Sequence, residues 1–180
     1  MQSIVRAASD GTKAVFYGQL CEQLGRLLGD ERGFVPNAAN TSALLFQLLP
    51  DVNWVGFYAA EGRELVLGPF QGKPACVRIP FGKGVCGTAA AEQRTVLVPD
   101  VERFSGHIAC DTASQSELVV PLINWGKLLG VLDIDSASLN RFDEDDREGI
   151  ESIAAVFLSS LATSDLPDFT NGVSELDRCR

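Results

Sequence analysis

Two apolar runs, ELVVPLI (117–123) and KLLGVLDID (127–135), are separated only by Asn124, Trp125 and Gly126. So short a connection forces them into an antiparallel hairpin, and its register fixes the face of every side chain. Gly at the third loop position predicts a type I turn followed by a left-handed bulge residue, which pairs Ile123 with Lys127. Glu117 then lies opposite Asp133, and Asp135 shares that face two residues along. A two-residue loop would instead carry Glu117 to the opposite face, so this three-carboxylate patch depends on the turn.

Acids inside VLDID stand where Val or Ile would extend a strand. At an exposed strand end they are merely solvated. Buried, they need donors, protons or a cationic ligand. Close carboxylates repel, so at least one would keep a proton near neutral pH and act as a general acid. The same patch would suit an ammonium group.

The remaining periodicities surround this hairpin. Phe16, Leu20, Leu24 and Leu27, flanked by Tyr17, Cys21 and Leu28, predict an amphipathic helix stopped near Gly29. A second helix is expected over 37–49, with Thr41, Leu45 and Leu48 on one stripe and Pro50 ending it. WVGFYAA (54–60) reads as a strand with Trp54, Gly56 and Tyr58 on one face and Val55 and Phe57 on the other, one face core and the other a pocket wall. ELVLGPF (64–70) closes a hairpin with it across Glu61-Gly62-Arg63. ACVRIPF (75–81) reads as a strand that turns Cys76 and Arg78 away from Val77 and Ile79, onto a half-open face. TVLVPD is a short strand. The long polar stretch 101–117 carries His107, Cys110 and Asp111, and a loop of that length points to function. Asp143 is a natural N-cap for a last helix with Ile150, Ile153, Ala154, Phe157, Leu158 and Leu161 on its buried stripe.

These elements predict an α+β fold, a central antiparallel sheet with the terminal helices packed on one face and an enclosed pocket on the other. The expected organisation is a flexible N-terminus (1–12), one catalytic domain (13–163) and a mobile tail (164–180). Net charge is −9, from 15 basic and 24 acidic residues, which disfavours a polyanion partner such as nucleic acid. No run approaches the roughly 20 apolar residues of a membrane span, and MQSIVRAASDGTK has no apolar h-region, so a cytoplasmic protein is expected.

Five cysteines at irregular spacing argue against a disulfide framework and raise the prospect of a reactive thiol. Cys21 reads as core filler on its helix, and Cys179 in the tail as incidental. Cys86, in FGKGVCGTAAAEQ, falls at a helix start, where free N–H groups and the dipole lower a thiol pKa. It reads equally well as a small apolar residue packed beneath the Gly-rich turn, and both readings stand. Those glycines lack the spacing of a phosphate loop. Negative charge nearby would keep Cys110 from being a strong thiolate unless His107 as imidazolium, or a bound substrate, offset the acids. A zinc site from Cys76, Cys86, Cys110 and His107 is not expected, because no CxxC or HxxxH pair is present.

With these residues laid out, the chain resembles the free methionine-(R)-sulfoxide reductases, a branch of the GAF-domain family, from about Lys13 to Ala162. The segments that carry the resemblance are NWVGFY, GPFQGKPAC, IPFGKGVCGTAA, GHIACD, SELVVPL and GVLDIDS. The resemblance implies attack of Cys110 on the sulfoxide sulfur, giving methionine and a sulfenic acid. Cys76 then condenses with that acid to a disulfide, which a thioredoxin-type reductant opens. It further implies Cys86 as an auxiliary thiol, and Glu117, Asp133 and Asp135 in contact with substrate beside a wall of Trp54 and Tyr58. A homodimer and no cofactor follow from the same resemblance. The competing reading is a GAF module that senses a small molecule without catalysis. NRFDE (140–144) is similar to a motif of cyclic-nucleotide-binding GAF domains, although a nucleotide phosphate would meet several carboxylates.

Overall fold

A computed structural model describes residues 12–104 and 113–162. The element order is α1 (Lys13–Leu28), α2 (Phe34–Leu48), β1 (Trp54–Glu61), β2 (Glu64–Gln71), β3 (Arg78–Pro80), α3 (Gly84–Glu92), β4 (Val96–Val98), a 3-10 turn (Val101–Arg103), β5 (Ser116–Asn124), β6 (Lys127–Ser136) and α4 (Glu144–Ser160). Among the described residues, six strands form one antiparallel sheet in the order β3-β2-β1-β6-β5-β4. The helices α1, α2 and α4 cover one face and α3 covers the other, so the sheet separates two apolar clusters. The expected α+β architecture is therefore the one observed.

The larger cluster is built on the alternation of β1. Val55 and Phe57 enter it from the sheet, and Phe157 of α4 lies 4.6 Å from the Phe57 ring centroid. Phe34 meets Phe57 and Phe157 edge-on. On α1 the buried stripe is Tyr17, Leu20, Leu24 and Leu28, and Leu27 is exposed. Leu28, four residues past Leu24, continues the stripe, and Leu27 falls at its edge, on the solvent side of Leu20. Helix α2 begins at Phe34, earlier than the expected residue 37, and Pro36 lies in its first turn, where a missing N–H breaks no helical hydrogen bond.

Asp146 fastens α4 to α1. Its Oδ1 accepts from Tyr17 Oη at 2.7 Å, and its Oδ2 accepts from Lys13 Nζ at 2.6 Å and from Arg141 Nη1 at 3.1 Å. Asp143 caps α4 and forms a reciprocal capping box with Asp146. The NRFDE segment thus serves this junction: Arg141 also donates Nε to Pro50 O at 2.8 Å and stacks over Phe142 at 5.1 Å.

The β5–β6 turn departs from expectation in an instructive way. Asn124 pairs with Lys127, so the loop is the two residues Trp125 and Gly126, both at positive φ (51° and 76°), as a type I′ turn requires. By itself that register would bury Ile134 opposite Glu117. A β-bulge intervenes: Ile123 pairs with Leu128 but Leu122 with Gly130, leaving Leu129 extra. The added residue restores the parity. Glu117 faces Asp135 directly, rather than Asp133, and all three carboxylates keep one face. Gly130 also admits β1 at close range, since a Cβ there would lie 2.0 Å from Tyr58 O.

Candidate active site

The second face of the sheet carries a cavity lined by Trp54, Tyr58, Ile79, Lys83, Val85, Cys86, Ser114, Glu117, Asp133 and Asp135, among others. The carboxylates and aromatic rings arrive there by strand alternation, and Cys86 by its place at a helix start. Trp54 and Tyr58 come from the face of β1 opposite Val55 and Phe57, and Glu117, Asp133 and Asp135 come from the shared face of β5 and β6.

The aromatic wall is a stack. Trp54 lies 5.9 Å from Tyr58 and 5.4 Å from Phe70, nearly parallel to both. Its indole Nε1 donates to Lys73 O at 3.1 Å. Gly56 makes room for this stack, because a Cβ there would fall 2.4 Å from Trp54 Cη2 and 2.5 Å from Phe70 Cβ. Phe70 does not line the cavity but supports Trp54, set opposite the glycine between Trp54 and Tyr58 by the β1–β2 hairpin. The sequence reading missed Lys83 and Ser114, and both stand in irregular segments where no periodicity assigns a face.

Opposite this wall, Glu117 and Asp133 are buried at 7% and 6% exposure. Burial first, then repulsion by Asp133 and Asp135, raises the Glu117 carboxyl well above the ordinary range. Burial raises Asp133 to about 6. At neutral pH at least one of the pair therefore holds a proton, as close buried acids must. Burial and Asp133 also push the Tyr58 phenol up.

Cys86 is the third residue of α3 and is 4% exposed. Its Sγ lies 3.7 Å from Glu117 Oε1, to which it donates. Burial, followed by Asp133 and Glu117, pushes its thiol well above the usual value. The helix-start effect is worth at most about 2 kcal/mol, and it loses here to desolvation plus two facing acids. The packing reading of Cys86 accordingly describes its ground state, with its sulfur in the cavity wall.

Cys76 lies on the chain leading into β3. The expected strand over 75–81 is shortened to Arg78–Pro80, so the alternation argument fails there: Val77 is 65% exposed while Ile79 is buried. Cys76 is half-buried against the pocket-side cluster and is disulfide-bonded. Cys21 and Cys86 are free, so the partner of Cys76 lies outside the described residues. Cys110, His107, Asp111 and Cys179 also lie outside them.

Comparison with known proteins places this geometry. Residues 15–160 match the GAF domain family. The free methionine-R-sulfoxide reductase of Escherichia coli is 49% identical over 162 residues, covering 90% of this chain and 98% of that protein. The chain belongs to the free methionine-R-sulfoxide reductase family. That family is one of oxidoreductases built on the GAF fold. The Saccharomyces cerevisiae free methionine-R-sulfoxide reductase is 45% identical, covering 87% of this chain and 91% of its own. The structure of the Neisseria meningitidis free methionine-R-sulfoxide reductase in complex with its substrate superposes with a TM-score of 0.84 at 44% identity, over 89% of this chain and 95% of that one. A GAF domain of a phosphoenolpyruvate-protein phosphotransferase from Coxiella burnetii, 17% identical, shares the fold alone. No helix among the described residues is long and apolar enough to cross a membrane.

Proposed function

We propose that this chain reduces free L-methionine-(R)-sulfoxide to methionine by thiol chemistry. The observation that carries the reading is the pairing, in one cavity, of a buried carboxylate patch with an aromatic wall, in a chain of this family. The patch supplies anionic acceptors for an α-ammonium group, which a peptide-linked methionine lacks, and the rings of Trp54 and Tyr58, with Phe70 stacked on Trp54, suit the thioether end.

In the proposed reaction Cys110 attacks the sulfoxide sulfur while a protonated acid of the patch delivers its proton to the oxygen. Glu117 is the best placed by its raised affinity for a proton. Methionine leaves and the oxygen remains on Cys110 as a sulfenic acid. Cys76 condenses with it, forming the disulfide and releasing water. A thioredoxin-type dithiol then reduces that disulfide by exchange, regenerating both thiols. The half-buried position and disulfide of Cys76 support it as the resolving residue over Cys86, which is buried and free. Cys86 then serves as an auxiliary thiol. The same reading makes the active species a homodimer acting in the cytoplasm.

Turnover of free R- and S-methionine sulfoxide, with thioredoxin as reductant, tests this in wild type and Cys110→Ser. R-only turnover abolished in Cys110→Ser is the expected result. No turnover by a wild type whose thiols are all shown to be reduced would refute it and favour the sensing reading.

A further inference from the structure

The carboxylate pocket brings a thiol and two of its carboxylates together as a set of metal-ligand types. The Cys86 Sγ and one carboxylate oxygen each of Glu117 and Asp133 lie within 4.8 Å of one another, and all three residues are buried. The Sγ–Oε1 separation of 3.7 Å is close to the edge of a tetrahedron around a zinc ion, about 3.5 Å for Zn–S of about 2.3 Å and Zn–O of about 2.0 Å. Independently, Asp133 Oδ1 is buried in this cavity with no hydrogen-bond partner among the described residues. A buried carboxylate oxygen without a donor is a costly arrangement that a cation relieves. The single basic residue in the described lining, Lys83, is exposed at the α3 N-cap. The cavity of about 40 Å³ also has room for ion-bound water, which needs about 10–15 Å³ per molecule.

We propose that Cys86, Glu117 and Asp133 form a binding site for a thiophilic divalent cation of the Zn²⁺ or Cd²⁺ class, which excludes the ammonium end of the substrate. A sulfur donor selects against Mg²⁺ and Ca²⁺, which prefer oxygen alone. Binding replaces the S–H bond of Cys86 by a sulfur–metal bond and releases to solvent both that proton and the one held between Glu117 and Asp133; no redox step occurs. With three protein donors the ion keeps a position for water, as at open zinc sites. These donors come from α3, β5 and β6 and so need no local CxxC or HxxxH pair. Binding stands on geometry alone, while competition with substrate rests on the proposed function.

The test uses metal-free full-length protein. Cd²⁺ is titrated while the ultraviolet thiolate-to-metal charge-transfer band is recorded, and Zn²⁺ binding is measured by equilibrium dialysis. Both the reduced protein and the form with the Cys76 disulfide intact are used, since Cys86 is free in the latter. One ion per chain in both forms is expected. The band should vanish in Cys86→Ser and persist in Cys76→Ser and Cys110→Ser. Asp133→Asn, which retains the thiol, should weaken binding at least about tenfold. Free methionine should displace the ion.

Equal binding by wild type and Cys86→Ser would overturn the proposal. Should Cys86→Ser fail to fold by circular dichroism, alkylation decides: Zn²⁺ protects Cys86 in wild type if the site exists, and leaves it equally reactive if it does not. Turnover is measured separately. A metal-binding protein without turnover would sink the reductase reading and leave the site, whereas turnover without binding at Cys86 would sink the site.

Discussion

Replacing Asp133 by Asn should favour the folded protein by about 2 kcal/mol more at pH 8 than at pH 4. Burial carries the Asp133 carboxyl from 3.8 to about 6. A folded value above the unfolded one means that the folded state binds the proton more tightly. The associated stability is fully present below about pH 3.8, and it falls as pH rises through about 6. At about 1.4 kcal/mol per pH unit, ionised Asp133 costs the folded state about 3 kcal/mol above that window. About 2 kcal/mol of this is lost between pH 4 and pH 8, because half the unfolded-state titration is already complete near pH 4. Asn cannot ionise, so Asp133→Asn removes that slope. The amide carries its own fixed cost in a pocket where Oδ1 has no partner, but that cost does not vary with pH.

The assay is urea unfolding of both proteins at several pH values, in one redox state throughout. With a slope of about 2 kcal/mol/M, the midpoint difference should shift by about 1 M in favour of Asp133→Asn between pH 4 and pH 8. A difference that stays constant across this range would refute the reasoning, since it would mean that Asp133 titrates as an exposed carboxyl does. Glu117 shares the pocket, so Glu117→Gln should flatten the same slope, and the two effects should be non-additive.

Three further outcomes follow from close contacts and buried pairs. Gly130→Ala places a Cβ 2.0 Å from Tyr58 O in the middle of the sheet; a loss of about 3 kcal/mol or more is expected, read by chemical denaturation, because two paired strands must part. Gly56→Ala drives a methyl into the Trp54 ring and the Phe70 Cβ. It should raise KM for the sulfoxide more than it lowers kcat, and a kcat-only effect would mean the wall does not bind substrate. Asp146→Ala takes the acceptor from the buried Tyr17 hydroxyl and one partner each from Lys13, which keeps Asp143, and Arg141, which keeps Pro50 O; about 3 kcal/mol should be lost in thermal or urea melts, and a loss below about 1 kcal/mol would show that water replaces the carboxylate.

Period-based features were legible from the chain itself. The α4 cap at Asp143, the stripe from Ile150 to Phe157, and the split of Trp54 and Tyr58 from Val55 and Phe57 follow from local chemistry and from periods of 3.6 and 2. The acids of VLDID were conspicuous because carboxylates rarely interrupt a branched apolar strand. In Cys76 and Leu27 the same reasoning failed where an element ended sooner, or ran slightly out of phase, than the apolar spacing implied.

What the tertiary structure decided is which of these groups meet, and in what state. A type I′ turn by itself would have sent Glu117 to the face covered by α1, α2 and α4; the bulge at Leu129, formed inside a sheet already paired with β1, returned it to the acids. A bulge of this kind satisfies the neighbouring strand and the packing beneath it, and no local spacing encodes either. Cys86 shows the same division. Its place at a helix start is written in the chain and favours a thiolate. Its proton is set instead by Glu117 and Asp133, which reach it from β5 and β6 in an environment with little water to screen them.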